Sequence, residues 1–304
     1  MMGTDRSFHF KASDKSAQGA IRRVALGQID SALDEIGNSD LTSEKIVHQV
    51  RKRCKKVRAL IRLVRPGFAE YEHENASFRD LARTLGGFRD QDVLIQTCDK
   101  IMAHYVKDAD DDAMACVRER LVADRRQLDP GAPEEIFAAF RSGMTQARQR
   151  VQMWVVEGHG YAAFSGGLAQ VLRRAHKAMD EAKSHAMPEP MHEWRKAVKY
   201  HGYHARLLRE IWPEAMLSNI TLTSQLAELL GDYHDLAVLQ RSLAEQPEHY
   251  GGVEVTRLIG GLADRRKKEL AQDAFRQGAL LFAERPTALA RRWGCYWQIW
   301  RGGD

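Results

Sequence analysis

The stretch His48-Gln-Val-Arg51-Lys52-Arg53-Cys-Lys55-Lys56-Val-Arg58-Ala-Leu-Ile-Arg62-Leu-Val-Arg65 holds eight Lys or Arg residues and no Asp or Glu. Val47, Val50, Cys54, Val57, Ile61 and Val64 recur at steps of three and four, the spacing of one buried helix face. His48, Arg51, Lys52, Lys55, Arg58, Arg62 and Arg65 follow the same period along a second line. At 1.5 Å per residue that line runs roughly 21 Å from Arg51 to Arg65. Like charges four residues apart destabilise a helix by a few tenths of a kcal/mol per pair, and no Glu is interleaved here to offset them. Such a row is either a solvated face or a surface kept for an anion.

A second copy favours the anion. His192-Glu-Trp-Arg195-Lys196-Ala-Val-Lys199 repeats His, Arg, Lys and Lys 144 residues on, and Arg206 and Arg209 then fall on Arg62 and Arg65. Met191, Trp194, Val198, Ala205 and Leu208 supply the matching seam. The cations are kept while their neighbours diverge, Tyr200 standing at the place of Lys56 and Gly202 at that of Arg58. Acids are plentiful elsewhere, as in Asp108 to Asp112, so a general excess of base does not explain the row.

Outward from these two stretches the correspondence continues. Leu85-Gly86-Gly-Phe-Arg89-Asp90-Gln-Asp-Val-Leu94 falls on Leu230-Gly231-Asp-Tyr-His234-Asp235-Leu-Ala-Val-Leu239 at a shift of 145. Ala123 to Arg126 matches Ala263 to Arg266 at a shift of 140, and Ile21-Arg22-Arg23 pairs more loosely with Leu172-Arg173-Arg174. Four islands in one order indicate an internal duplication, a repeat of one helical unit. Arg79 and Arg83, four residues apart on the next helix, extend the basic surface, as do Arg89 and His234 at equivalent places. Arg125, Arg126, Arg265 and Arg266 sit late in each half, where a helix C-terminus alone would favour cations.

The whole chain reads as helix. Apolar residues recur at three- and four-residue intervals with no period-two segment, and the 8 Pro lie near segment ends. The expected helices cover about 21–36, 43–65, 70–105, 110–128, 134–156, 161–184, 190–211, 214–246, 251–282 and 286–299, the longest as one helix or two. The fold class is therefore all-α: two tandem four-helix bundles from an internal duplication, 1–156 and 157–304, facing across a pseudo-twofold with the joint near residues 157–160. An aromatic tail, Trp293-Gly-Cys-Tyr296-Trp297-Gln-Ile-Trp300, closes the second unit and docks on its own bundle or on a partner.

Composition removes several classes. With 304 residues, 44% hydrophobic and 29% charged, the chain can bury a core and is not disordered. Its apolar runs are far shorter than the ~20 residues of a membrane helix, and the N-terminus lacks a secretory signal's apolar core. Four scattered cysteines give neither a zinc site nor a disulfide framework, which sets the expectation of a reducing, cytoplasmic setting. No P-loop and no GxSxG nucleophile elbow is present. A metal phosphohydrolase would want several His-Asp ligands; His201, His204 and the pair His234-Asp235 are what the sequence offers, and Arg89 stands where a duplicated site needs a second histidine. No catalytic residue, metal site or cofactor is called.

HxxRKxxKxxRxxxRxxR at His48 to Arg65, then LGGFRDQDVL, HEWRKAVK and LLGDYHDLAVL in order, resembles the CHAD family, over about residues 15–285. The resemblance implies two four-helix units that bind inorganic polyphosphate, without catalysis, through basic residues in the groove between them. It implies association with polyphosphate granules and a stand-alone member, without the triphosphatase tunnel domain some members carry. Carried over residue by residue, the site takes His48, Arg51, Lys52, Lys55 and Arg62 on one side and His192, Arg195, Lys196, Lys199 and Arg206 on the other. Arg58, Arg79, Arg83, Arg89 and His234 complete the candidate set. Arg forks onto phosphate oxygens and Lys acts as a point charge, so two cationic rows suit a phosphate chain. Single-stranded nucleic acid is the alternative ligand; the first row carries no aromatic for base stacking, although Trp194, Tyr200 and Tyr203 accompany the second. A phosphohydrolase acting on phosphate chains is the third reading.

Overall fold

A computed structural model describes residues 6–85, 90–105, 111–127, 134–184 and 187–302, which form eleven α-helices with no strand among the described residues. In chain order the helices are α1 (Ala17–Ile36), α2 (Ser43–Leu63), α3 (Tyr71–Thr84), α4 (Asp90–His104), α5 (Asp111–Gln127) and α6 (Glu134–Met153). After the joint follow α7 (Ala162–Ser184), α8 (Pro188–Leu207), α9 (Pro213–Glu245), α10 (Val253–Leu281) and α11 (Pro286–Trp300).

Local sequence sets the boundaries. Ser16 caps α1 by accepting the Gly19 amide at 3.0 Å, and Thr42 caps α2 from the Lys45 amide. Pro188, Pro213 and Pro286 occupy the first turns of α8, α9 and α11, where a missing N–H costs nothing. Pro66 ends α2 in a single 3-10 turn, and a similar turn over Arg209–Ile211 follows α8. The joint between the halves turns on Gly158 and Gly160, both with positive φ (87° and 51°).

The expected segment 70–105 is two helices, α3 and α4, whereas its partner α9 runs unbroken through Gly231. A Gly-Gly pair at 86–87 withdraws about twice the helix propensity that one glycine does, roughly 1 kcal/mol each. Six α-helices therefore precede the joint and five follow it, more than the four per half expected. Against the ten expected segments only the α3/α4 division is additional; the terminal helices α6 and α11, expected at 134–156 and 286–299, are the fifth of each half and pack on α1 and α7 respectively.

The core is continuous. Every apolar seam residue named for the basic helices is buried: Val47, Val50, Cys54, Val57, Ile61 and Val64 of the first copy, and Met191, Trp194, Val198, Ala205 and Leu208 of the second. The second unit's aromatic tail docks on its own chain: Trp297 packs on Phe10, Tyr161 and Phe164, and Trp293 stacks on His201. α2 reaches α7 as well as α8; a Cβ on Gly167 of α7 would come within 2.0 Å of the Leu63 carbonyl oxygen, so this crossing requires glycine.

Candidate functional site

α2 and α8 cross near their C-terminal halves, and the crossing is held by side chains from both. His204, fully buried, places Nε2 2.9 Å from the Ala59 carbonyl oxygen. That oxygen can only accept, so Nε2 carries the proton; burial lowers the ring's pKa to about 3 and keeps it neutral. The Arg62 guanidinium lies 4.3 Å from the Tyr200 ring of α8 and 5.6 Å from Tyr71, with Asn75 Oδ1 accepting from its Nη2 at 3.4 Å.

Beside the crossing, a pocket of about 660 Å³ opens between α2, α8 and α9. Lys52 and Lys56 reach it from α2, Lys199 and Arg206 from α8, and Arg209 from the turn that follows. No Asp or Glu is among the described residues lining it. The remaining walls are mostly apolar: Phe8, Val198, Leu217 and Ile220, with Thr223 and Ser224 adding hydroxyls. Arg206 is aimed by donating to the Gly202 carbonyl at 3.2 Å and to Ser224 Oγ at 2.7 Å. Arg209 pairs with Glu210 at 2.7 Å. Lys56 rests over the Phe8 ring at 4.9 Å. Burial, then the neighbouring Arg53 and Lys52, push the Lys56 pKa down to about 8; Arg206 adds to this, while Glu35 acts the other way. Burial also lowers Arg206 from its ordinary value. Cations crowded against apolar walls carry an unfavourable energy that an anion would relieve.

The rest of the first row turns away from this pocket. Arg51 donates to the Leu85 carbonyl at 3.1 Å, and Arg58 to Asn75 Oδ1 at 3.0 Å. Arg65 pairs with Glu72 at 2.7 Å and Arg53 with Glu35 at 2.6 Å, so both are tied to neighbouring helices. His48 and Lys55 are exposed on α2. Arg79 and Arg83 do not join the row as free cations: both pair with Asp80, at 2.8 and 3.7 Å. Arg89 lies outside the described residues.

In the second row, the rings of His192 and His234 meet at a tilt with centroids 4.5 Å apart, joining α8 to α9. Burial, then His192 and Arg195, hold His234 down to about 4; burial, then Lys196 and Arg195, lower His192 as well. The Arg195 guanidinium lies over Gly231, 3.5 Å from where a Cβ would stand, much as Arg51 meets Leu85 in the first half. Lys196 is paired with Glu193, which also takes Arg174. Among the described residues no three His, Cys, Asp or Glu side chains are grouped to hold a metal ion; His201 is enclosed by Trp293 and Phe282, and His204 is spent on Ala59.

Of the candidate set, the pocket thus brings together Lys52, Lys199 and Arg206. Lys56 and Arg209, which are not in that set, line the pocket as well. Their places in the eight-cation row and its second copy were the available signal.

The CHAD domain family model matches residues 25–244. Among solved structures, the crystal structure of the CHAD domain from the plant Ricinus communis is similar, with a TM-score of 0.59 at 19% identity over 92% of this chain and 97% of that one. That likeness is one of fold. No curated protein matches the chain.

Proposed function

The chain belongs to the CHAD domain family, and from there we propose that it binds inorganic polyphosphate, without catalysis, where α2 and α8 meet. One observation carries this reading: cations from both basic helices line a single pocket with no acid among its described lining residues. Lys52, Lys56, Lys199, Arg206 and Arg209 hold the phosphates there. His48, Arg51, Lys55, Arg58 and Arg62 guide the chain along α2, and His192, Arg195, Lys196 and His234 do so along α8. Arg79, Arg83 and Arg89 lie further out.

The site follows from a duplication in which 1–156 and 157–304 are related helical units. Several reciprocal placements support it. Arg62 meets Tyr200 while Arg206 acts on Lys56, and these are equivalent positions exchanged across the crossing. α1 and α6 correspond to α7 and α11, and each pair packs together. The core of each unit is then four helices, counting α3 and α4 as one interrupted helix.

Polyphosphate is favoured over RNA because two of the three aromatics of the second row are engaged, Trp194 buried against Phe275 and Tyr200 under Arg62, while Tyr203, which lines the pocket, is held edge-on by Phe8. No helix among the described residues is long and apolar enough to cross a membrane, which accords with a ligand met in water, such as a polyphosphate granule. Long-chain polyphosphate should displace single-stranded RNA at matched salt, and pure protein with divalent metal should release no phosphate from the chain. RNA displacing polyphosphate would overturn the ligand, and released phosphate would overturn the non-catalytic reading.

A further inference from the structure

Resting on the polyphosphate reading, we propose that the pocket of Lys52, Lys56, Lys199, Arg206 and Arg209 captures the end of the chain, its terminal phosphate, rather than an internal stretch. Cation spacing is the first ground. Along the outer part of α2 the arginines are set one by one, Arg58 on Asn75, Arg62 on Tyr200 and Arg65 on Glu72. In the pocket five cationic side chains converge on one space of about 660 Å³. An internal phosphate carries one charge and suits a cation spaced along a line. A terminal phosphate carries up to two, with its second pKa near 6, and offers three free oxygens. It is the part of the polymer whose charge density matches a cluster.

The second ground is the wall. The N-terminal segment passes beside this end of the crossing, with the Phe10 amide donating to the Leu207 carbonyl at 2.8 Å. Phe8 is buried against Lys56 and Tyr203, and Phe10 stacks on Phe164. Phe8 therefore lines one side of the pocket, and Leu217 and Ile220 of α9 line another. A chain running straight through would have to pass an apolar wall, whereas one that stops there places its end among cations. Apolar walls also strengthen each charge contact by lowering the local dielectric.

Two preparations of one long-chain polyphosphate test this: one with free ends, the other with both terminal phosphates capped as neutral-amine phosphoramidates. The free-ended chain should bind about tenfold more tightly, a difference of ~1.4 kcal/mol. Replacing Lys52 and Lys56 together by Gln, with helicity checked by circular dichroism, should weaken binding of both chains and bring their affinities together, so that the preference for free ends is lost. Equal affinity of the native protein for both chains would overturn end capture and leave general polyphosphate binding standing. Failure of the native protein to bind either chain would overturn both. The native comparison needs no variant, so a misfolded double substitution does not blunt the test.

Discussion

Lys56 and Tyr200 occupy the same place in the two basic helices and do opposite things. Lys56 stands beside Lys52 and within reach of Arg206, half-buried, with its pKa driven down to about 8 by burial, then by Arg53 and Lys52, with a smaller push from Arg206. Tyr200 faces the counterpart of Arg206, namely Arg62, and gives that guanidinium an aromatic face at 4.3 Å. One end of the crossing gathers several cations around an open pocket; at the other, the Arg62 charge remains but rests on an aromatic face and on Asn75. Two halves that share charges in the sequence have thus divided the work. On the proposed reading the first end holds the phosphates, while at the second Arg62, which guides the chain, also ties α2 to α8 through Tyr200.

The largest effect expected from this division is on binding. Converting Lys52, Lys56, Lys199 and Arg206 together to Gln removes the pocket's cations and leaves Arg62 on Tyr200. Each lost phosphate contact lowers the slope of log affinity against log salt by about 0.7–0.9, so the slope should fall by about 3. A salt titration of polyphosphate binding checks it. An unchanged slope would mean the ligand lies at the Tyr200 end or elsewhere, reversing the comparison.

A second asymmetry lies beneath the first. α8 carries His201 and His204 at the places where α2 has Val57 and Leu60, and all four are fully buried. Burial holds His201 at about 4 and His204 at about 3, against an unfolded value near 6.5. Between about pH 6.5 and those lower values the unfolded chain binds more protons than the native one, so stability rises with pH there. It is fully present above 6.5 and declines on acidification by up to about 1.4 kcal/mol per pH unit for each histidine. Denaturant unfolding between pH 7 and 5 should show that loss. His204→Leu, which makes α8 resemble α2, should reduce it by about a third or less, because His201 and His234, both held down to about 4, keep their share and His192 adds to it; a variant with the native pH dependence would show that His204 is not one of the groups responsible.

The course of these two helices was readable because burial follows period: each apolar position assigned to a seam is inside. The boundaries marked by Pro66, Pro188, Pro213 and Pro286 were readable for the same local reason. What each cation faces was less so, because its partner often comes from a distant stretch of chain. Arg53 takes Glu35 from α1, Arg58 takes Asn75 from α3, and Lys56 meets Phe8 from before α1. A row of like charges read along one helix therefore overstates what remains for a ligand. Helical period shows which residues share a face, but the His192–His234 ring contact joins two helices, and nothing in either stretch alone encodes it.

The smallest expected effect is also the sharpest on the comparison, because its sign differs between equivalent positions. Lys56→Met keeps length and apolar volume over Phe8 but removes a charge whose native pKa is below its unfolded value of 10.5. Below about pH 8 that charge is present in both states and costs the native one; the cost fades as pH rises toward 10.5. Discounted for the solvent that screens a part-exposed lysine, the substitution should stabilise the free protein by on the order of 1 kcal/mol at pH 7, while weakening polyphosphate binding. Tyr200→Ala should do the reverse to stability, removing a cation–π contact worth about 0.5–2 kcal/mol. Paired denaturant curves measure both. If Lys56→Met destabilised the chain as Tyr200→Ala does, both ends of the crossing would be structural, and the pocket's charge would have no claim to be kept for an anion.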